Sequence, residues 1–252
     1  MFSTKFLESL IESEKNGTDY TYPAEDKKLL KKLFKEIYRH TGINVKYLAE
    51  MDVFRIEGSG EIISKYITEF SSESVKGLLV PQIVADKVKD CDKLILQLYL
   101  QFKSSEEYIS KPGEPAPAHI YVRYDNAFRK LKPKKLAKNL LELARNPRDA
   151  FYLPFTMRML ASWKMPEMLD LLNFYFFSER LSAADFGIFE SDNLQFYPPV
   201  ESMRRELKFT AINGLKYFPS RETKALIEPL TNSENKDIRS TAQKSLTAML
   251  RH

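Results

Sequence analysis

The chain is poor in cysteine, in glycine and in long apolar runs. Its single cysteine, Cys91, cannot form an internal disulfide, which is typical of proteins from a reducing compartment. Eight glycines in 252 residues are less than half of the usual share of about 7%, so the tight hairpin turns of an all-β protein have little support. No run without a charged residue exceeds nine residues, as at 94–102, whereas a membrane-spanning helix needs about 20.

These absences exclude several classes of protein. We expect no membrane span, and Glu8 and Glu12 interrupt the apolar stretch that a signal peptide needs. A cytoplasmic protein is therefore predicted. With 252 residues, 43% of them hydrophobic, the chain is long enough to bury a core without a disulfide or a metal ion to stabilise it.

Leucine dominates the apolar residues, with 30 copies against eight valines. Leucine, lysine and glutamate favour helices, while valine favours strands. Apolar residues recur with the period of a helix in successive blocks, which are separated by short polar or proline-containing connections. The sequence therefore predicts an all-α fold. One alternative stays open at residues 120–124, where alternation and β-forming residues are compatible with a short strand.

Several of these blocks carry specific expectations. Residues 24–40 are predicted to form a helix that ends at Thr41-Gly42. A helix over residues 74–89 contains Pro81, where we expect a kink or a break. Residues 148–163 are predicted to form one helix. Residues 111–118 hold three prolines and a glycine, so we expect an N-terminal helical region over 1–110, a proline-rich linker over 111–120 and helical repeats over 121–252.

Two C-terminal segments, 206–215 and 237–246, share a sequence pattern. Each has an acid, an aliphatic residue and a base, then a small residue and then leucine, with the apolar members at i, i+4 and i+8 on one helical face. The two matched sets are Glu206-Leu207-Lys208, Ala211 and Leu215, and Asp237-Ile238-Arg239, Ala242 and Leu246.

The last of these segments, extended to residues 226–246, resembles a HEAT repeat, which is a pair of antiparallel helices with proline in the first and Asp-x-Arg entering the second. Pro229 and Asp237-x-Arg239 carry this resemblance, which extends over about residues 203–252. It implies a right-handed α-solenoid of stacked helix pairs. The N-terminal region has the same alternation of helices and short turns without the Asp-x-Arg motif, and it is expected to form a less regular helical part. An irregular helical bundle is the alternative.

Positive charge is concentrated in the second half of the chain, where residues 127–158 hold nine basic and two acidic side chains. Six of the basic residues lie within ten positions: Arg129, Lys130, Lys132, Lys134, Lys135 and Lys138. Such density attracts phosphates or an acidic protein surface, although a solvated lysine face is an equally ordinary explanation. Lys134 and Lys135 are expected near a helix start, where a cation opposes the helix dipole.

Aromatic side chains are concentrated as well, and Phe174-Tyr175-Phe176-Phe177 is a continuous run. Adjacent residues of a helix point in different directions. At least one of the four is therefore expected outside the main core, at a second packing surface, a cleft or a partner interface.

The usual catalytic constellations are missing from the sequence. The three histidines are far apart, so no metal site is predicted, and no glycine-rich nucleotide motif is present, so no cofactor is predicted. Asp90 and Asp92 flank Cys91 and are expected to raise the pKa of its thiol. One enzymatic alternative remains: some HEAT-like proteins are alkylpurine DNA glycosylases, and Trp163 with Asp170 and Asp149 is similar to the aromatic and carboxylate groups of such a site.

The sequence favours a non-catalytic helical-repeat scaffold that binds a macromolecular partner, preferably an acidic protein, in a concave and partly basic groove. Nucleic-acid binding is the alternative. The residues predicted to line the groove are the basic cluster at 129–138 together with Arg204, Arg205, Lys208 and Arg239.

Overall fold

A computed structural model of the chain describes residues 8–9, 11–12, 14–15, 22–105, 118–188 and 198–251. Within these ranges it contains thirteen α-helices and no β-strand, which confirms the predicted all-α fold. Most of the predicted linker lies outside the described residues. None of the described helices combines the length and the apolarity that crossing a membrane requires.

The helices fall into two compact units. The N-terminal unit contains α1 to α6, and the C-terminal unit contains α7 to α13. The helices of the N-terminal unit are α1 (Ala24–Thr41), α2 (Leu48–Val53), α3 (Ser59–Tyr66), α4 (Glu73–Ala85), α5 (Cys91–Lys103) and α6 (Ala118–Leu131), and a 3₁₀ turn (Ile67–Glu69) follows α3. The strand alternative at 120–124 is wrong, because these residues lie inside α6.

Helix α1 begins and ends as its sequence predicts. Its buried stripe contains Leu30, Leu33 and Ile37, which repeat every three to four residues. The helix ends at Gly42, whose φ of 72° is left-handed and whose amide bonds to the carbonyl of Tyr38, as a glycine C-cap does.

Helix α4 is the central element of the N-terminal unit and is buried on nearly every side. Of the kink or break expected at Pro81, the break is absent, because the helix continues through this residue. The helices α5 and α6 pack through an aromatic cluster in which neighbouring ring centroids lie 5.1 to 6.2 Å apart. Its members are Tyr99, Phe102, Tyr121, Tyr124 and Phe128.

The C-terminal unit is built from shorter helices. They are α7 (Ala137–Ala144), α8 (Pro147–Tyr152), α9 (Pro154–Ser162), α10 (Pro166–Phe176), α11 (Val200–Leu215), α12 (Arg221–Ile227) and α13 (Lys236–Met249). The 3₁₀ turns of this unit are Lys134–Leu136, Ser178–Arg180, Ala184–Phe186 and Glu228–Asn232. The single helix predicted over 148–163 is wrong: Pro154 cannot donate an amide and disfavours α geometry at Leu153, so α8 ends there and α9 begins at the proline.

Helix α11 is the centre of this unit and packs against α9, α10 and α13. The hydroxyl of Ser245 on α13 donates to the carbonyl of Ile212 on α11 at 3.0 Å, in a buried position. Of the six apolar positions that match between segments 206–215 and 237–246, five are buried and the sixth, Leu246, is half-buried. Leu207, Ala211, Leu215, Ile238 and Ala242 are buried.

Candidate functional site

The basic residues proposed for partner binding have different structural settings. Arg129 and Lys130 are exposed in the last turn of α6, where a cation complements the helix dipole. They lie in the N-terminal unit, while the other eight proposed residues lie in the C-terminal unit.

Three of these eight are occupied by contacts within the chain. Nε of Arg204 donates to the carbonyl oxygen of Leu181 at 2.7 Å, and its Nη1 also pairs with Glu201. Nη1 of Arg239 donates to the carbonyl oxygen of Ser233 at 2.5 Å, in the turn before α13. These guanidinium groups satisfy backbone carbonyls that the ends of short helices leave unpaired.

Lys208 is also held in place, because its ammonium lies 3.7 Å from a carboxylate oxygen of Glu179 and 5.2 Å from the ring centroid of Phe176. Arg205, by contrast, is exposed and forms no salt bridge with a described residue. The four positions on α11 and α13 therefore contribute one available cation, not four.

The remaining lysines form what we call the lysine segment: Lys132, Lys134, Lys135 and Lys138. All four are exposed, and none forms a salt bridge with another residue in the described part of the chain. Lys132 has a left-handed backbone, with φ at 48°, and the 3₁₀ turn that follows leads directly into α7. The first turn of α7 has no acidic residue. Its N-cap is Leu136, whose side chain cannot accept a hydrogen bond from the first amides of the helix. The segment thus concentrates uncompensated positive charge at the start of a helix.

The residues of the glycosylase alternative do not converge on one exposed site. Asp149 is fully buried, whereas Asp170 is exposed and Trp163 is half-buried. Burial, with the negative charge of Asp149 nearby, raises the pKa of Tyr175, whose hydroxyl donates to the carbonyl of Ala144 at 2.7 Å. Asp149 therefore belongs to the core of this unit, and a ligand at the surface cannot reach it.

Cys91 has the environment of an unreactive thiol. Its side chain is buried, and burial together with the charges of Asp92 and Asp90 raises the pKa of the thiol. This confirms the direction predicted from the flanking aspartates. Among the described residues, no group of three or more histidine, cysteine, aspartate or glutamate side chains is placed to hold a metal ion.

The aromatic run in α10 divides between core and surface. Tyr175 and Phe176 are buried, whereas 52% of Phe174 is exposed, so the expectation that one member lies outside the core is confirmed. The ring of Phe177 faces the guanidinium of Arg180, which lies 4.9 Å from its centroid.

Sequence reasoning missed a second basic region, on α1. Five exposed lysines occur between positions 27 and 35: Lys27, Lys28, Lys31, Lys32 and Lys35. Residues 1–126 hold 18 basic and 20 acidic side chains, so the net charge of this half gives no sign of the lysines on α1. A shorter counting window would have found them.

Two of these lysines line a pocket of about 240 Å³ in the N-terminal unit. We call it the N-terminal pocket. Its lining residues are Glu14, Tyr22, Lys27, Leu30, Lys31, Phe34, Lys46 and Tyr47.

Comparison with known proteins identifies no relative of the chain: no family model, no curated protein and no solved structure gives a significant match. A function for the chain is therefore inferred from its own residues.

Proposed function

We propose that the chain is a HEAT-like helical-repeat scaffold without a catalytic role, and that its C-terminal unit binds an acidic protein through the lysine segment. The observation that carries this proposal is the concentration of four exposed ammonium groups within residues 132–138, none of them paired with a described carboxylate. Lys134 and Lys135 lie in the 3₁₀ turn just before α7, and Lys138 lies in its first turn, so these three cations oppose the helix dipole at a cost of roughly 0.3–1 kcal/mol each. Carboxylates of a partner would remove that cost and gain charge-assisted hydrogen bonds.

The packing of the last helices supports the repeat part of the proposal. Helix α12 with its 3₁₀ extension packs against α13, and α10 packs against α11, while α11 and α13 pack against each other. Two helix pairs joined in this way are the arrangement that stacked repeats require. The bond from Arg239 to the carbonyl of Ser233 gives the arginine of the Asp-x-Arg motif a role in fixing the turn between paired helices.

The surroundings of the lysine segment favour a protein partner over nucleic acid. No aromatic residue occurs between Phe128 and Phe151, so the segment offers no ring on which unpaired bases could stack. Its cations are all lysines, compact point charges that pair with carboxylates as well as with phosphates. Dispersed carboxylates on a protein surface match that chemistry.

A charge-matched pair of variants tests the proposal. In the first, the four lysines of the segment are changed to glutamine. In the control, four other lysines of the same unit, Lys164, Lys224, Lys236 and Lys244, are changed to glutamine. Fluorescence anisotropy with a labelled decaglutamate peptide measures binding of each variant and of the wild type.

Because each exposed charge pair contributes about 0.2–1 kcal/mol, loss of four pairs is expected to weaken binding of the segment variant by at least about fourfold, and the control is expected to change much less. Equal weakening of both variants would show a general effect of net charge and contradict the proposal. Copurification from native extract, followed by mass spectrometry, then identifies the natural partner. Loss of the captured material after nuclease treatment would favour nucleic-acid binding instead.

A further inference from the structure

Besides Glu14, the lining of the N-terminal pocket consists of two apolar side chains, two tyrosines and three lysines, which we call the rim lysines. Leu30 and Phe34 of α1 form apolar lining, and the half-buried rings of Tyr22 and Tyr47 stand beside them. The rim lysines come from two places: Lys27 and Lys31 lie one turn apart on α1, and Lys46 comes from the connection between α1 and α2. Residues four apart on a helix share a face, so both α1 ammoniums reach the same opening.

Two carboxylates, Glu14 in the pocket lining and Glu50, which binds the backbone of two lining residues, already accept hydrogen bonds from the protein. Oε1 of Glu14 accepts from the hydroxyl of Tyr22 at 2.6 Å and from the amide of Leu48 at 2.9 Å, and Oε2 accepts from the amide of Ala49 at 2.9 Å. Oε2 of Glu50 accepts from the amides of Lys46 and Tyr47 at 2.7 and 3.1 Å.

The rim lysines are left without such partners. Lys27, Lys31 and Lys46 are exposed, and none makes a salt bridge with a residue that the structure describes. The three ammonium groups outnumber the single carboxylate in the lining, that of Glu14, so the net charge around the pocket is positive, which favours an anion.

The shape of the pocket adds a second requirement to the ligand. A phosphate carries about two negative charges and three acceptor oxygens, which suits three ammonium donors. The tyrosine rings and apolar side chains of the lining suit a flat ring, and the ammonium of Lys15, 5.7 Å from the ring centroid of Tyr47, adds positive charge beside them. The volume of about 240 Å³ lies below the usual range of roughly 300–1,000 Å³ for drug-sized ligands, so it accommodates one ring and one phosphate better than a dinucleotide.

We propose that the N-terminal pocket binds a nucleoside monophosphate, with its phosphate at Lys27, Lys31 and Lys46 and its base against Tyr22 and Tyr47. This site lies in the N-terminal unit and is independent of the function proposed for the lysine segment.

The test uses the full chain and isothermal titration with adenosine monophosphate, adenosine and inorganic phosphate. One variant carries Lys27→Gln and Lys31→Gln. Its matched control carries Lys28→Gln and Lys35→Gln, which remove the same charge from exposed positions of the same helix outside the pocket lining. The nucleotide is expected to bind the wild type more tightly than either of its parts. The pocket variant should lose at least tenfold in affinity, and the control less than about threefold.

Four outcomes would overturn the proposal. The first is no binding of the nucleotide to the wild type at millimolar concentration. The second is equal loss in both variants, since only the general charge of α1 would then matter. The third is equal affinity for nucleotide and phosphate, because the rings would contribute nothing. The fourth is tighter binding of a short oligothymidylate with the same dependence on Lys27 and Lys31, which would assign the pocket to single-stranded nucleic acid.

Discussion

Gly214 of α11 lies directly against Leu172 of α10. A Cβ added at Gly214 would be 2.6 Å from Cδ2 of Leu172 and 3.2 Å from the Cβ of Ala161 on α9. The missing side chain therefore lets α11 approach two neighbouring helices closely. The sequence pattern places Ala211 on the apolar face of this helix, but it does not identify Gly214 as the tightest point.

Changing Gly214 to alanine is expected to destabilise the protein, although alanine favours an exposed helix interior by about 1 kcal/mol over glycine. Overpacking of this kind costs typically about 1–3 kcal/mol, so the clash with Leu172 outweighs the gain in helix propensity. Urea unfolding followed by circular dichroism measures the change. Combining Gly214→Ala with Leu172→Ala should cost less than the sum of the two single changes, because the new methyl group enters the vacated space. Simple additivity would show that the two residues do not compete for space.

A buried aspartate is predicted to fix the start of α1 to the segment before α4. Oδ1 of Asp26 accepts from the amide of Ser71 at 2.9 Å, and Oδ2 accepts from the amide of Ser72 at 2.8 Å. In Asp26→Asn, the side-chain NH₂ group would replace one of the two accepting oxygens and face a backbone N–H donor. We therefore expect the free energy of unfolding to fall by about 2 kcal/mol, typical of hydrogen bonds to a charged group.

The control is the neighbouring exposed Glu25→Gln, which removes the same charge and is expected to stay within about 0.5 kcal/mol of the wild type. Chemical denaturation at neutral pH separates the two variants. Equal stability of Asp26→Asn and Glu25→Gln would show that the bonds of Asp26 contribute little.

Arg239 is predicted to stabilise the fold rather than to bind a partner directly. Arg239→Ala removes the bond to the carbonyl of Ser233 and should lower the free energy of unfolding by about 1–2 kcal/mol. Arg205→Ala, on the exposed side of α11, should be nearly neutral for stability. If decaglutamate binding falls in Arg239→Ala while stability does not change, the arginine contacts the partner after all.

Local signals in the sequence predicted much of the fold. The glycine C-cap at Gly42 is predicted from its place after a periodic apolar stretch. Five of the six matched apolar positions, all but Leu246, are buried because their spacing places them on one helical face. The apolar periodicity wrongly predicted one helix across Leu153, because the apolar residues of α8 and α9 continue with nearly the same helical spacing on both sides of Pro154.

Less of the candidate site could be predicted. The guanidinium groups of Arg204 and Arg239 bond to carbonyls whose need for a donor arises only once the helix ends are placed. Lys27 and Lys31 approach Lys46 only after the chain turns between α1 and α2, and no one-dimensional spacing encodes that turn. The density of positive charge in the sequence was enough to identify Lys134 and its neighbours. Lysine side chains are ordinarily exposed, so a dense lysine segment is expected at the surface.

The hydroxyl of Tyr175 gives the C-terminal unit a predicted sensitivity to alkaline pH. A tyrosine in the unfolded chain has a pKa of about 10, and burial with the nearby charge of Asp149 raises the pKa of Tyr175 in the folded state. The folded state therefore keeps a proton that the unfolded state loses above pH 10. Stability from this group is complete below pH 10 and falls as pH rises above it, by at most about 1.4 kcal/mol per pH unit.

Tyr175→Phe should remove that part of the pH dependence. At neutral pH it should also cost about 1 kcal/mol, because the carbonyl of Ala144 loses its donor. Tyr38→Phe is the control, since 54% of Tyr38 is exposed and its change should leave the alkaline slope as in the wild type. Urea unfolding from pH 8 to 11 measures the slope, and absorbance near 295 nm follows tyrosinate formation. Ionisation of all thirteen tyrosines before unfolding would contradict the argument, because Tyr175 must then lose its proton in the folded state.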